Sequence, residues 1–323
     1  MNLYQVALTG SLLAFVLAGT FGRLRLLAYG IFLHGILVLV GSGLLLWQRH
    51  RRLAAISLLA ALGIGTVGAD AFLIEPHWLE IRRFHLSSTK LQAPLKVALL
   101  ADFQTDEIGE YELRVLRRTL QEKPDLILFA GDYIQEANPE RYRALGQQLR
   151  QSLADMGFSA PLGVIAVGGN ADSRHWPSLF EGLSFTLVEE TTSLDLSQLR
   201  VTALSMTDSF QTSLKVPANE AFHIVLGHAP DFALGQVDAD LLVAGHIHGG
   251  QVRLPWIGPL ITFSQVPRSW SSGLTHLDSG AALVVSRGIG MERLEAPRLR
   301  FLCRPELVFI DLLPTGEPAS PGG

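Results

Sequence analysis

Cysteine is nearly missing from this chain of 323 residues; Cys303 is the only one. A single thiol excludes an internal disulfide framework and any zinc site built on cysteine, so a metal bound here must use His, Asp, Asn or Gln. Basic charge is also scarce. Lys and Arg total 26 against 30 Asp and Glu, for a formal charge of −4, and no long block of like charge occurs. Nothing resembles the electrostatic footprint that nucleic acid requires, so nucleic acid is not expected as a partner.

Apolar residues are plentiful, at 48% of the chain, and the mean hydropathy is +0.28. The surplus lies at one end. Residues 3–22 (LYQVALTGSLLAFVLAGTFG) carry no charge and have about the length needed to cross roughly 30 Å of hydrocarbon. Residues 26–47 end on Trp47, an interfacial residue type, ahead of the basic RHRR, and a third apolar segment covers 53–74. Three transmembrane helices are predicted over residues 1–74. No Lys or Arg precedes the first and two more spans follow, which argues against a cleaved signal peptide. Asp70 lies near the end of its span, within reach of the interface, and His34 is expected to be neutral and packed against another helix. The flanking arginines nearly cancel, and the RHRR cluster tips the expected orientation toward an outward-facing C-terminal domain.

From residue 75 the pattern changes. Five short apolar runs each deliver a metal-type residue at the C-terminal end: LKVALLAD ends on Asp102, DLILFAGD on Asp132, GVIAVGGN on Asn170, FHIVLGH on His228 and DLLVAGH on His246. Apolar runs without alternation suit strands covered on both faces. Helical patterns lie between them, with Leu113, Leu116 and Leu120 on one face and Tyr142, Leu145, Leu149 and Leu153 on the next. Strand, helix, strand implies parallel pairing, so the strand ends gather at one edge, where ligand sites form. One strand-end Asp or His is usually a cap or a satisfied structural residue. Five in one chain point to a metal, and the mixture of carboxylate, amide and imidazole suits a transition-metal site with oxygen character. The tail, residues 313–323, reads as disordered.

Taken in order, Asp102-Phe103-Gln104, Gly131-Asp132, Gly169-Asn170-Ala171-Asp172, His228-Ala229-Pro230 and Gly245-His246-Ile247-His248 resemble the five-block signature of the calcineurin-like metallophosphoesterases. The likeness spans roughly residues 72–312. GGQVRLPWIGPL and VSRGIGMERLEAPRLRFLCRPEL further resemble a membrane-anchored branch that includes UDP-2,3-diacylglucosamine pyrophosphatase-like enzymes. The resemblance implies an α/β fold, a two-layer β-sandwich flanked by helices over residues 75–312. It implies two metal ions at the strand ends, with Asp132 bridging them, Asn170, His228 and His246 completing one site, and Asp102 and His248 in the other. It also implies in-line attack on phosphorus by a bridging hydroxide. Mn²⁺ is the favoured ion, with Fe²⁺ or Zn²⁺ as alternatives, and the expected location is a bacterial cytoplasmic membrane.

Two positions depart from the pattern. Gln104 stands where the family places a His; its amide oxygen is either a weak neutral ligand or hydrogen-bonded to a bound water. Ala171 replaces a His that stabilises phosphate charge or protonates the leaving group, and His175 is the favoured substitute, with Asp172 and Arg174 nearby. Arg287 and Arg253, then Arg268, are candidates to grip substrate phosphate. Ser205 and Ser286 support no serine-hydrolase triad. Two functions follow as expectations. The first is a membrane-anchored hydrolase of a phosphodiester or pyrophosphate bond, in a lipid-linked or nucleotide-sugar substrate. The second is a degenerate domain that binds metal or phospholipid as a sensor or scaffold with little turnover.

Overall fold

A computed structural model of the protein describes residues 19–316. These fall into two compact units: the helices up to Glu75 together with Glu292–Leu299, and Pro76–Met291 together with the chain from Arg300 onward.

In the first unit, two helices are long and apolar enough to cross a membrane among the described residues: α1, Thr20–Leu46, and α2, Arg51–His77, each of 27 residues. At 1.5 Å per residue each is roughly 40 Å long. They approach through small residues. A Cβ on Gly43 would meet the Leu58 side chain at 2.7 Å, and one on Gly68 would meet the Phe32 ring at 2.9 Å. Large apolar side chains face outward, Leu37, Leu45, Leu59 and Leu62 among them. The predicted second and third spans coincide with α1 and α2. The first, 3–22, lies mostly outside the described residues, and its last three residues belong to α1. Arg23 and Arg25, which fall between the predicted first and second spans, sit in the first turns of α1, where Arg25 Nη1 donates to Leu294 O at 3.1 Å. His34 is exposed instead of packed against another helix, and both it and Asp70 fall in short π-helical turns, Gly30–Gly35 and Asp70–Ile74.

The second unit is built on two six-stranded sheets. Its strands in chain order are β1 (Glu80–Ser88), β2 (Leu95–Leu100), β3 (Leu126–Phe129), β4 (Val164–Val167), β5 (Phe185–Val188) and β6 (Thr192–Leu196). They continue with β7 (Leu199–Ala203), β8 (Phe222–Leu226), β9 (Leu241–Ala244), β10 (Gly273–His276), β11 (Ala282–Val285) and β12 (Glu306–Pro314). One sheet has the order β1-β12-β2-β3-β4-β5 and the other β10-β11-β9-β8-β7-β6. The five strands that carry the motif ends are parallel to their motif neighbours but divide between the sheets, β2, β3 and β4 in one and β8 and β9 in the other. Helices α3 (Glu110–Gln121) and α4 (Pro139–Asp155) are the crossovers from β2 to β3 and from β3 to β4.

Period-two side-chain alternation, with both faces covered, explains why the five motif strands are apolar but for Lys96 and His223. Val97, Leu99, Leu126, Leu128, Ile224, Leu226, Leu241 and Val243 fill the core between the sheets. The intervening Ala98, Leu100, Ile127 and Phe129 pack outward against Val115 and Leu116 of α3 and Leu145, Leu149 and Leu153 of α4. On the second sheet, Val225, Leu242 and Leu283 cover Phe232. The buried face of α3 is centred on Glu112, Val115, Leu116 and Thr119, with Leu113 and Leu120 at its margins. Glu112 is buried because it closes the helix start, accepting from Gly109 N at 3.1 Å and from Thr105 Oγ1 at 3.0 Å. Leu313 and Pro314, assigned by sequence to the tail, instead end β12, paired with Ser87 and Ser88.

Phe129 is the hub of the outer core, with Tyr133, Phe158, Phe180 and Phe185 ring centroids 5.9 to 6.2 Å away. Phe129→Ala is expected to destabilise the unit by about 3–5 kcal/mol, read as a fall in the chemical unfolding midpoint in mild detergent.

Candidate metal centre

Each motif residue lies two or three residues beyond a strand end, and backbone hydrogen bonds tie the ends together. Asp102 N donates to Gly131 O at 3.1 Å, Gln104 N to Asp132 O at 2.7 Å, and Gly245 N to His228 O at 2.8 Å. Two glycines permit the approach. A Cβ on Gly245 would lie 2.6 Å from Asp102 Oδ2, and one on Gly169 would overlap the Asp132 carboxylate.

The backbone here is unusual. Asp102 (φ 49°), Gln104 (34°), Asp132 (57°), His246 (69°) and His248 (52°) all occupy the left-handed region, which costs a non-glycine residue about 1–2 kcal/mol. Five of the seven predicted ligands therefore share a strained conformation. Such strain persists only where the surrounding structure enforces it, and it concentrates at ligand-binding sites.

Asp102, Asp132 and His228 form the tightest group, each offering a donor atom within 4.8 Å of the others. All three are buried. His228 Nδ1 lies 2.7 Å from Ala130 O; a carbonyl only accepts, so Nδ1 carries the proton and Nε2 a lone pair. That lone pair faces Asn170 Oδ1 at 2.7 Å and Asp132 Oδ2 at 3.5 Å. Burial pushes the His228 pKa down to about 4, so protonation does not relieve the crowding of acceptors near neutral pH. His246 adjoins with its ring centroid 5.1 Å from that of His228, and burial together with His228 lowers its pKa to about 4. Its backbone N–H donates to both Asp102 oxygens, at 2.9 and 3.0 Å. His248 is buried, held well below its ordinary pKa by burial and then by Arg300. Its Nε2 is enclosed with no hydrogen-bond partner among the described residues.

The donor set fits a divalent cation. Two buried carboxylates lie beside neutral imidazoles, acceptors converge on one another, and a buried ring nitrogen has no proton acceptor or donor to meet. Carboxylates and lone pairs concentrated in a buried site are what a cation among these atoms would balance. Gln104 is fully buried beside the group, and Asn170 is exposed at its lip.

The remaining predicted residues are placed elsewhere. Asp172 is a clamp, accepting from Asp132 N at 2.8 Å, Gly169 N at 2.9 Å and Tyr133 N at 2.7 Å. Burial and then the Asp132 charge push its carboxyl well above the usual range, while these three amides pull it down. His175 is exposed, 3.5 Å from Ser173 Oγ, and lines a cavity of about 670 Å³ with Tyr142, Arg143 and Arg174, away from any metal-type residue named above. Arg287 is committed to carboxylates, with Nε 2.7 Å from Glu306 Oε2 and Nη2 2.9 Å from Glu80 Oε2. Arg253 Nη1 donates to Gly249 O at 3.1 Å and to Ser271 and Ser272. Sequence reasoning missed Arg300, which is fully buried and donates to Cys303 O at 2.9 Å and Arg287 O at 2.8 Å, with Nη2 3.5 Å from His248 Nδ1. In RLRFLCR nothing distinguishes it from its neighbours.

Comparison with known proteins agrees with this geometry. A family model described as calcineurin-like phosphoesterase matches residues 95–250, which contain all five motif strands. The Bacillus subtilis (strain 168) protein named "Uncharacterized metallophosphoesterase YkuE" is 31% identical over 290 residues, covering 81% of this chain and 94% of its own. The Escherichia coli (strain K12) protein named "Phosphodiesterase YaeI" is 28% identical over 256 residues, 74% of this chain and 90% of its own. A third relative, "Uncharacterized metallophosphoesterase YkoQ" of Bacillus subtilis (strain 168), is 24% identical over 230 residues, 67% of this chain and 82% of its own. With the strand-end centre and a relative matched along most of both chains, the protein belongs to the calcineurin-like metallophosphoesterases.

Proposed function

We propose that the protein is a membrane-anchored phosphoesterase that uses two divalent ions to hydrolyse a phosphodiester or pyrophosphate bond. The carrying observation is the buried Asp102, Asp132 and His228 group with its converging acceptors. Asp132, Asn170, His228 and His246 would hold one ion, and Asp102, Gln104 and His248 the other, with Asp132 shared. Bound divalent ions supply Lewis acidity toward the phosphoryl oxygens and lower the pKa of water. Gln104 offers a neutral amide oxygen where an imidazole would bind more tightly, which favours Mn²⁺ and makes the two sites unequal.

The chain's own residues set the rest. Ala171 N–H donates to Asp132 Oδ1 at 2.7 Å and orients that carboxylate, but an alanine side chain cannot protonate a leaving group. General acid catalysis contributes typically about 10²- to 10⁴-fold, and a leaving group that is already acidic needs it least. A diester or pyrophosphate with such a leaving group is therefore the favoured substrate, with no proton-transfer role for His175. The name of the Escherichia coli relative supports a diester. Outward-facing leucines along α1 and α2 support anchoring in lipid. Arg49 in the connection and Arg51 and Arg52 at the start of α2 favour a cytoplasmic connection, and hence a catalytic unit on the outer face.

Purified full-length protein is expected to hydrolyse an activated phosphodiester with Mn²⁺ and to lose at least about 10³-fold of that activity in Asp132→Ala, in keeping with the large share of barrier lowering carried by a two-ion site. Wild-type turnover no higher than a chelated control would instead favour the degenerate, non-catalytic domain. Metal analysis should give two ions per chain in wild type and weaker retention of one in Gln104→Ala.

The neutral histidines also set a pH window. His228 and His246 have folded pKa values of about 4, against about 6.5 when unfolded. As pH falls below 6.5 the unfolded chain takes up protons first, so stability present above that pH is lost progressively down to pH 4. The loss amounts to about 3 kcal/mol for His228. Unfolding of chelator-treated protein across pH 7 to 4 should show this slope, and His228→Gln should flatten it.

A further inference from the structure

The chain between His248 and Phe263 leaves the metal centre, forms a short hairpin and returns. Arg253 and Leu254 pair with Pro259 and Gly258, and the tip is Pro255-Trp256-Ile257. The tip is apolar and bare. Trp256 is fully solvent-exposed, at 103% of its reference area, and Ile257, Leu260, Phe263 and Leu302 are also exposed. Isolated exposed apolar residues are ordinary, but a cluster crowned by a fully exposed Trp marks an interaction surface.

The hairpin is stiff. A Cβ on Gly250 would overlap Pro259 and come within 2.9 Å of Ile261 O, and Leu260 N donates to Val252 O at 3.3 Å. Its return strand places Phe263 O 3.3 Å from His246 Nε2. The tip and the metal-binding turn are thus parts of one loop.

Charge around the tip has one sign. A cavity of about 560 Å³ is lined by Arg253, Trp256, Ile257, Arg268 and Leu302 with no acidic residue, and no Asp or Glu occurs between Asp240 and Asp278. Arg268 is exposed and forms no ion pair among the described residues. Trp beside Arg is the composition of a membrane interface: the indole sits at the headgroup level and the guanidinium meets lipid phosphate.

We propose that the Pro255–Ile257 tip docks into the surface of the bilayer that holds this chain, with Arg268 against anionic headgroups. The inference rests on the anchoring proposed above. Two residues separate His77, the end of α2, from Glu80, so the unit that carries the tip is tethered directly to a spanning helix. Docking would fix the distance of the Asp102, Asp132 and His228 group from the headgroups, because the loop begins at His248 and returns to His246.

The test uses full-length protein in nanodiscs of phosphatidylcholine and phosphatidylglycerol. Cys303 is buried, so single Cys variants accept a polarity-sensitive fluorophore selectively. Trp256→Cys reports the tip, Leu45→Cys reports α1, and Gln148→Cys on the exposed side of α4 reports water. Docking predicts blue-shifted emission and quenching by doxyl-labelled lipid at positions 256 and 45, but not at 148. Quenching at 256 should weaken in pure phosphatidylcholine and in Arg268→Glu. Quenching at 45 with a water-like label at 256 overturns the docking and leaves the anchoring intact. A blue shift at 256 without lipid quenching also overturns it, in favour of a protein contact such as a second copy. Absence of quenching at 45 removes the anchoring and the docking together.

Discussion

Two carboxylates, Asp102 and Asp132, are buried at the ends of neighbouring strands with their closest imidazole held neutral. Much of the surrounding architecture serves to hold them there. His246 N–H donates to Asp102, Ala171 N–H to Asp132, and Asp172 fastens the backbone of Asp132 to that of Gly169. These are contacts between loops that follow different strands, so none survives unless β2, β3, β4 and β9 end at the same level. Parallel pairing supplies that level. The left-handed backbone at five motif positions follows from the same demand, because each chain must turn sharply off its strand to aim a side chain at a common point.

This dependence explains what the sequence disclosed. Strands covered on both faces favour apolar residues on both, so the five motif strands were legible as apolar runs, interrupted only by Lys96 and His223, and the polar residue that follows each run stood out. The division into two sheets was not legible in those runs. DLILF of β3 and DLLVA of β9 are alike locally, yet one packs under α4 and the other over Phe232. Strand β12 was also obscure, since its place between β1 and β2, parallel to one and antiparallel to the other, depends on partners more than 200 residues away.

The arginines show the limit more sharply. Arg287 followed an apolar run and stood beside glycines, which made it a reasonable phosphate ligand. Its actual partners, Glu306 and Glu80, come from the two strands that pair at the edge of the first sheet. No local pattern encodes a pairing of residues 80, 287 and 306. Arg300 is the converse case. A fully buried guanidinium satisfied by carbonyls of residues 287, 288, 290 and 303 is visible only once that loop has closed. In the first unit, Arg23 and Arg25 misled for a related reason: charges in a helix end look the same as charges in a connection until the backbone is traced.

The two departures from the family pattern both adjoin Asp132 and have different physical consequences. Gln104 is buried, in a left-handed turn hydrogen-bonded to Asp132 O, so the backbone geometry of a ligand position is kept although the imidazole is gone. Under the proposed two-ion reading, an amide there would weaken one ion without removing its place. Ala171 likewise keeps its backbone task, the N–H bond to Asp132, and loses only what a side chain would do to substrate. A site drifting freely toward a scaffold would have little reason to hold strained φ angles at positions whose side chains no longer act, because each costs about 1–2 kcal/mol. Retention of the strained frame, with substitution confined to Gln104 and Ala171, supports the proposed hydrolysis of a bond with a good leaving group over the scaffold reading.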